Sequence, residues 1–163
     1  MAMLLFSVGD NRYVLENRFI FRIIPHVILK NFPHASPYVL GLLNFTGTPI
    51  PIIDFCQLIE QRPAKEAFNS RIIILRDPDL DVSQSPLFGL LAEKVTDILP
   101  LHSNQFMETG FYLHQFPYLI GAYSDHEGII QKISFEKLFQ YLSQELFNIS
   151  KLVQKNLGQN EYN

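Results

Sequence analysis

The sequence has no tryptophan, a single cysteine and few charges, with Asp, Glu, Lys and Arg making up 18% of its 163 residues. Cys56 alone cannot close an internal disulfide, so stability must come from a packed core, as is usual in a reducing compartment. Its neighbours Phe55 and Leu58 mark it as a buried, inert thiol. The formal net charge is -3, and the Lys and Arg are scattered. Without a basic stripe to neutralise phosphates, nucleic acid is not an expected partner. No apolar run approaches the roughly 20 residues of a membrane-spanning helix. The first run, MLLFSV, is stopped by Asp10, Asn11 and Arg12 before it reaches the length of a signal segment. A cytoplasmic protein with no direct membrane insertion is the expectation.

Catalytic motifs are equally scarce. His26, His34, His102, His114 and His126 show no paired metal-ligand spacing, and there is no HExxH or CxxC. The chain has no P-loop, no GxGxxG and no GxSxG elbow. Asp77, Asp79 and Asp81 lack the glycine and distal glutamate of a calcium loop, and Pro78 interrupts them, so they read as a solvated turn. Asp54 stands near Cys56 without a histidine in the neighbouring sequence to complete a triad. No catalytic, metal or cofactor-binding residue is assigned, and an enzyme on a small barrel scaffold has no candidate reacting group.

What the chain does have is apolar material, 47% of residues, with 14 Phe and 7 Tyr, enough to form a core. Leu4 to Val8 and Tyr13 to Leu15 flank Gly9-Asp10-Asn11 and read as a β-hairpin. Asn17 to Ile24 carries Ile20, Ile23 and Ile24 at helical spacing and stops at Pro25, which predicts one or two helical turns. Pro25 to Pro37 reads as a loop. Tyr38 to Phe45 and Pro49 to Ile53 form a second hairpin around Thr46-Gly47-Thr48, and Asp54 is placed to cap a short helix over Phe55 to Ile59. The polar stretch Glu60 to Ser70 divides the chain into halves meeting near 60–70. Arg71 to Arg76 and Pro86 to Ala92 read as a strand pair, and Glu93 to Leu99 as a helical segment closed by Pro100.

The second half repeats the first. EKVTDILP (Glu93 to Pro100) echoes RFIFRIIP (Arg18 to Pro25), PYLIGAY (Pro117 to Tyr123) echoes PYVLGLL (Pro37 to Leu43), and ISFEKLF (Ile133 to Phe139) echoes IDFCQLI (Ile53 to Ile59). Ser134 stands where Asp54 stood, and both are good helix N-caps. Leu142, Leu146, Ile149, Val153 and Leu157 share one helical face before Gly158, predicting a C-terminal amphipathic helix over about 142–157 that packs on the lobes. Residues 159–163 read as a flexible tail.

PYVLGLLNFTGTPIPIIDF (Pro37 to Phe55) resembles the signature segment of CheW-like domains, and LLFSVGDNRYVL, IFRIIP and FGLLAEKVTDIL resemble further parts of that family, from about Leu4 to Tyr141. The resemblance implies an all-β fold of two five-stranded SH3-like barrels within one domain, 1–158, and a non-enzymatic chemosensory adaptor. Its implied partners are the cytoplasmic tip of a methyl-accepting chemoreceptor and the regulatory domain of a CheA-type histidine kinase. A receptor-binding groove would lie near Val14, Ile20, Ile23 and Phe45. Arg22 and Thr46, where the family usually has Glu and Arg, would sit beside it. Gly41 and Gly47 match family glycines; a tight hairpin needs positive φ at Gly47, and a close backbone approach or bulge explains Gly41. LFNIS (Leu146 to Ser150) resembles the ends of adaptors from the type IV pilus twitching system, an alternative pathway. An unrelated SH3-like peptide-binding module is a further alternative. Such modules use exposed aromatic grooves, whereas most Phe here lie in apolar runs and Trp is absent.

Overall fold

The computed structural model describes residues 2–33, 35–65, 69–81, 83–108 and 115–160, and all of their side chains except those of 154 and 156–160. The strands are β1 (Met3–Val8), β2 (Asn11–Glu16), β3 (Ile20–Pro25), β4 (Val39–Phe45), β5 (Thr48–Asp54), β6 (Arg71–Leu75), β7 (Phe88–Ala92), β8 (Lys94–Leu99), β9 (Leu119–Asp125) and β10 (Gly128–Ile133). Helix α1 covers Phe55–Glu60 and helix α2 covers Phe135–Asn160, with short 3-10 turns at Asn17–Phe19 and Ser103–Gln105.

These strands form two five-stranded sheets, ordered β8-β1-β2-β10-β9 and β3-β6-β7-β5-β4. Each curls into an SH3-like barrel. In the second, the rings of Phe21 on β3 and Phe45 on β4 meet edge to face at 5.9 Å, bringing opposite edges of the sheet together. Each barrel contains one parallel pair, β2 with β10 and β5 with β7. A hairpin cannot make a parallel pair, so each requires a long crossover.

That requirement displaces the boundary expected near 60–70. The second barrel is the continuous stretch from β3 to β7, inserted between the β1–β2 hairpin and the β8–β10 portion of the first. In chain order the polar stretch after α1 falls between strands of the second barrel. The repeated segments nevertheless occupy equivalent places in the two sheet orders: β3 and β8 at one edge, β4 and β9 at the other. Equivalent backbone bonds follow. Asp54 N–H donates to the Tyr38 carbonyl at 2.7 Å and Ser134 N–H to that of Tyr118 at 2.8 Å. Lys30 and Leu42 exchange two backbone bonds, as Met107 and Ala122 do.

Burial on both faces explains why β7 and, beyond Arg71, β6 are apolar throughout. Ile73, Leu75, Phe88 and Leu90 face a core shared by both barrels, which also takes in Leu4, Phe6, Tyr13, Phe55, Phe135 and Leu142. The intervening Ile72, Ile74 and Leu91 join Leu43, Ile50 and Ile52 inside the second barrel. Met3, Val14, Leu101 and Ile130 fill the first.

Two expected helical segments are strands. Only Asn17–Phe19 is helical before β3, and Glu93 to Leu99 is β8 apart from its first residue. The cause is visible in the pairing: β3 shifts register between Ile20 and Arg22, leaving Phe21 as the extra residue, and β8 shifts between Val95 and Asp97. A bulge breaks the period of two, and the displaced apolar positions then imitate helical spacing.

The C-terminal helix begins earlier than expected, at Phe135. The Ser134 hydroxyl accepts the Lys137 N–H at 3.2 Å, and from this cap the short-helix repeat runs on into the amphipathic segment without a break. Leu142, Leu146 and Ile149 are buried on its inner face, and Val153 is partly buried. The Leu157 side chain lies outside the described residues. The helix passes through Gly158 to Asn160, so 159 and 160 are not tail, while 161–163 lie outside the described residues.

Asp54 performs several tasks from one buried position, 3% exposed. Its Oδ1 accepts the N–H groups of Cys56 and Gln57 at 3.0 and 3.3 Å, and Oδ2 accepts that of Ala64 at 2.9 Å. Asp54→Ala would leave these donors without a partner. The expected loss is about 1–3 kcal/mol, read from denaturant unfolding, whereas a loss below a few tenths would remove the capping role.

Candidate protein-binding surface

Arg22, Phe45 and Thr46 come together at one end of the second barrel. The guanidinium carbon of Arg22 lies 5.7 Å from the ring centroids of both Phe21 and Phe45. Arg76, immediately past β6, lies 4.5 Å from the Phe21 ring. Phe21 and Phe45 are half-buried, and both arginines are exposed. Neither Phe21 nor Arg76 was identifiable as a site residue from sequence, since their meeting depends on the β3 bulge and on closure of the barrel.

Thr46 and Gly47 form the two-residue turn between β4 and β5, at φ +49° and +88°. Such a turn requires positive φ at both positions, which glycine adopts freely and a β-branched residue only at a cost. The Thr46 hydroxyl donates to the Phe45 carbonyl at 2.8 Å, and Asn44 Oδ1 accepts the Gly47 N–H at 2.9 Å. These bonds hold the turn beside Arg22.

Ile20 and Ile23 flank Arg22 along β3, whereas Val14 and Gly41 lie elsewhere. Ile23 follows Arg22 on β3 and is 38% exposed. Ile20 packs against the shared core from its edge. Val14 is fully buried within the first barrel and presents no surface. Its place in the apolar run of β2 gave no sign of which face it would take. Gly41 is at the edge of the second barrel, with φ +156°, its backbone against the carbonyl of Lys30.

Several other cations are paired. Arg12 grips Asp125, holding that carboxyl well below its ordinary range through a short hydrogen bond. Lys132 is buried, donating to Glu16 at 3.1 Å and Ser103 at 2.6 Å. Arg62 donates both terminal nitrogens to Glu93, whose carboxylate also accepts the N–H groups of Gly9 and Lys65 at 2.8 Å each. Glu93 therefore ties the β1–β2 turn of the first barrel to the segment after α1 in the second. Burial, reinforced by the charges of Glu93 and Asp54, pushes the Cys56 thiol far above its ordinary range, so it supplies no thiolate.

The hydrogen bond from Arg62, aided by those from Lys65 and Gly9, lowers Glu93 to a pKa of about 2. A carboxylate depressed on folding stabilises above its unfolded pKa, and that contribution disappears as pH falls through the folded value. Stability should therefore fall by about 1–2 kcal/mol between about pH 5 and pH 2 through this group, after allowance for solvent screening. Glu93→Gln should flatten that part of the pH profile in denaturant titrations. An unchanged slope would remove Glu93 from the acid response.

The geometry defines a class first: paired SH3-like barrels around a shared core, with an aromatic and basic surface at one end. The CheW-like domain model matches residues 2–143, and the chain belongs to that family. It is 28% identical over 107 residues to the chemotaxis protein CheW of Rhizobium meliloti, covering 66% of this chain and 65% of that one. A probable chemotaxis protein CheW of Rhizobium etli is 27% identical over 97 residues, covering 60% and 59%. The chain thus spans less than two thirds of the length of these relatives. Among solved structures, the scaffolding protein TtCheW from Thermoanaerobacter tengcongensis shares the fold, with a TM-score of 0.69, 20% identity and coverage of 82% and 84%.

Proposed function

We propose that this protein is a chemosensory adaptor, working by binding alone, that couples a methyl-accepting receptor to the regulatory domain of a CheA-type histidine kinase in the cytoplasm. The observation that carries this reading is the family match running through both barrels, from residue 2 to 143. The names of the relatives, chemotaxis protein and scaffolding protein, agree with it. Among the described residues no helix is long and apolar enough to cross a membrane.

The receptor-facing surface in this proposal is formed by Arg22, Ile23, Phe45 and Thr46, with Ile20 at its inner edge. The LFNIS stretch lies within α2, where Leu146 and Ile149 are buried, and packing accounts for its apolar pattern without reference to a pilus pathway.

Co-sedimentation with a receptor cytoplasmic fragment and a kinase regulatory domain tests the reading. Capture of both, in one complex, is expected. Capture of neither would overturn the adaptor assignment.

A further inference from the structure

We propose that a cavity of the first barrel, beside the buried pair Lys132 and Glu16, binds a small zwitterion of the α-amino acid class with an apolar side chain. The inference does not depend on the adaptor reading.

The internal repeat supplies the comparison. Ile52 pairs with Gly89 across the parallel strands of the second barrel, as Lys132 pairs with Val14 in the first. Two residues further along the partner strands stand Leu91 and Glu16. Ile52 and Leu91 share an apolar core, whereas Lys132, 6% exposed, donates to Glu16 at 3.1 Å. The same place in the fold is thus filled by two apolar residues in one barrel and by an ion pair in the other. Well-packed apolar residues commonly stabilise as well as a buried ion pair, because both charges must be stripped of water. Stability alone does not account for Lys132 and Glu16.

Lys132 lines a cavity of about 530 Å³. Among the described residues, Glu16 and Ser103 take two of its three N–H donors, at 3.1 and 2.6 Å, which leaves one for a ligand oxygen. Lys137, exposed on α2, borders the same space, so a carboxylate can be held between the two ammonium groups. Glu108 offers an acceptor for a ligand ammonium, and the half-buried Phe106 and Ile120 provide apolar wall. With Glu16 neutralising Lys132 and Glu108 at the cavity, a phosphate dianion is disfavoured, and a molecule carrying one charge of each sign matches. The related cavity of the second barrel, about 540 Å³, is lined mainly by apolar residues, and its Asp54 carboxylate is taken up by the N–H groups of Cys56 and Ala64. The space is common to both barrels, while lysine is particular to the first.

The test titrates the full chain by calorimetry with L-leucine, 4-methylpentanoate, 3-methylbutylamine and inorganic phosphate, and locates binding by amide NMR shifts. L-leucine should bind and shift amides in 103–106 and 132–137. Each analogue lacks one charge and should bind about tenfold more weakly or worse, the loss of one charge-assisted hydrogen bond. Lys137→Gln, a surface change that leaves folding intact, should weaken L-leucine by about the same factor. Lys132→Ile with Glu16→Leu copies the second barrel and should abolish binding with the unfolding midpoint at or above that of the parent. Arg76→Gln, on the other barrel, should bind as the parent does. No binding of L-leucine, shifts confined to other segments, equal binding of either analogue, tighter binding of phosphate, or binding that survives the double change would each overturn the proposal. A marked loss of stability in the double variant would also overturn it, because the ion pair would then be a structural requirement.

Discussion

Gly41→Ala is expected to lower stability by about 3–5 kcal/mol, more than its single added methyl group suggests. At φ +156° the backbone occupies a region that residues with a Cβ rarely adopt. The new Cβ would stand 2.5 Å from the Lys30 carbonyl oxygen and 3.1 Å from Leu29 Cβ. The first neighbour is backbone and cannot swing aside. It is also an acceptor in the paired bonds between Lys30 and Leu42, at 3.0 and 2.8 Å, so moving it breaks the contact that anchors the loop before β4. Thermal unfolding should show the midpoint falling by about 10 °C or more for a chain of this size. Gly47→Ala is the control: its Cβ would meet nothing within 4 Å, so only the conformational cost at φ +88° remains, about 1–2 kcal/mol. Equal losses at both glycines would show that the close approach to Lys30 does not limit Gly41.

Phe135→Ala should cost a similar amount, about 3–5 kcal/mol, by a different mechanism. Phe135 opens α2, is 2% exposed and stacks on Phe19 at 4.4 Å with an interplanar angle of 11°. The rings of Phe88 on β7 and of Phe139 lie 6.0 and 6.1 Å from it. Truncation opens a cavity where the turn before β3, the strand β7 and the long helix meet. Both barrels border this core, so amide exchange should accelerate together in the β1–β2 hairpin and the β6–β7 pair. Phe135→Leu, which leaves a smaller void, should cost about 1–2 kcal/mol. Fraying confined to α2, with both barrels fully protected, would show the helix to be an independent appendage.

The candidate surface joins these two results to function. Gly41 fixes the start of β4, whose far end carries Phe45 and Thr46, while Phe19 precedes the strand that carries Phe21 and Arg22. Losing either anchor should therefore weaken partner binding as well as stability, unlike Arg22→Gln, which should leave stability within about 0.5 kcal/mol.

The sequence alone determined the pairs β1–β2, β4–β5 and β6–β7, the caps at Asp54 and Ser134 and the apolar face of α2, because each depends on residues close together in the chain, and it showed the internal repeat as matching segments. It pointed to Arg22, Phe45 and Thr46 individually. Only the tertiary structure decided that β3 and β8 are strands, because a bulge alters the apolar period without altering composition. Tertiary structure also decided that one barrel is inserted into the other, because a parallel pair joins segments far apart in sequence. For the same reason Val14 is interior and Phe21 and Arg76 belong beside Arg22: which face a residue takes, and which distant residue it meets, is set by strand pairing and barrel closure.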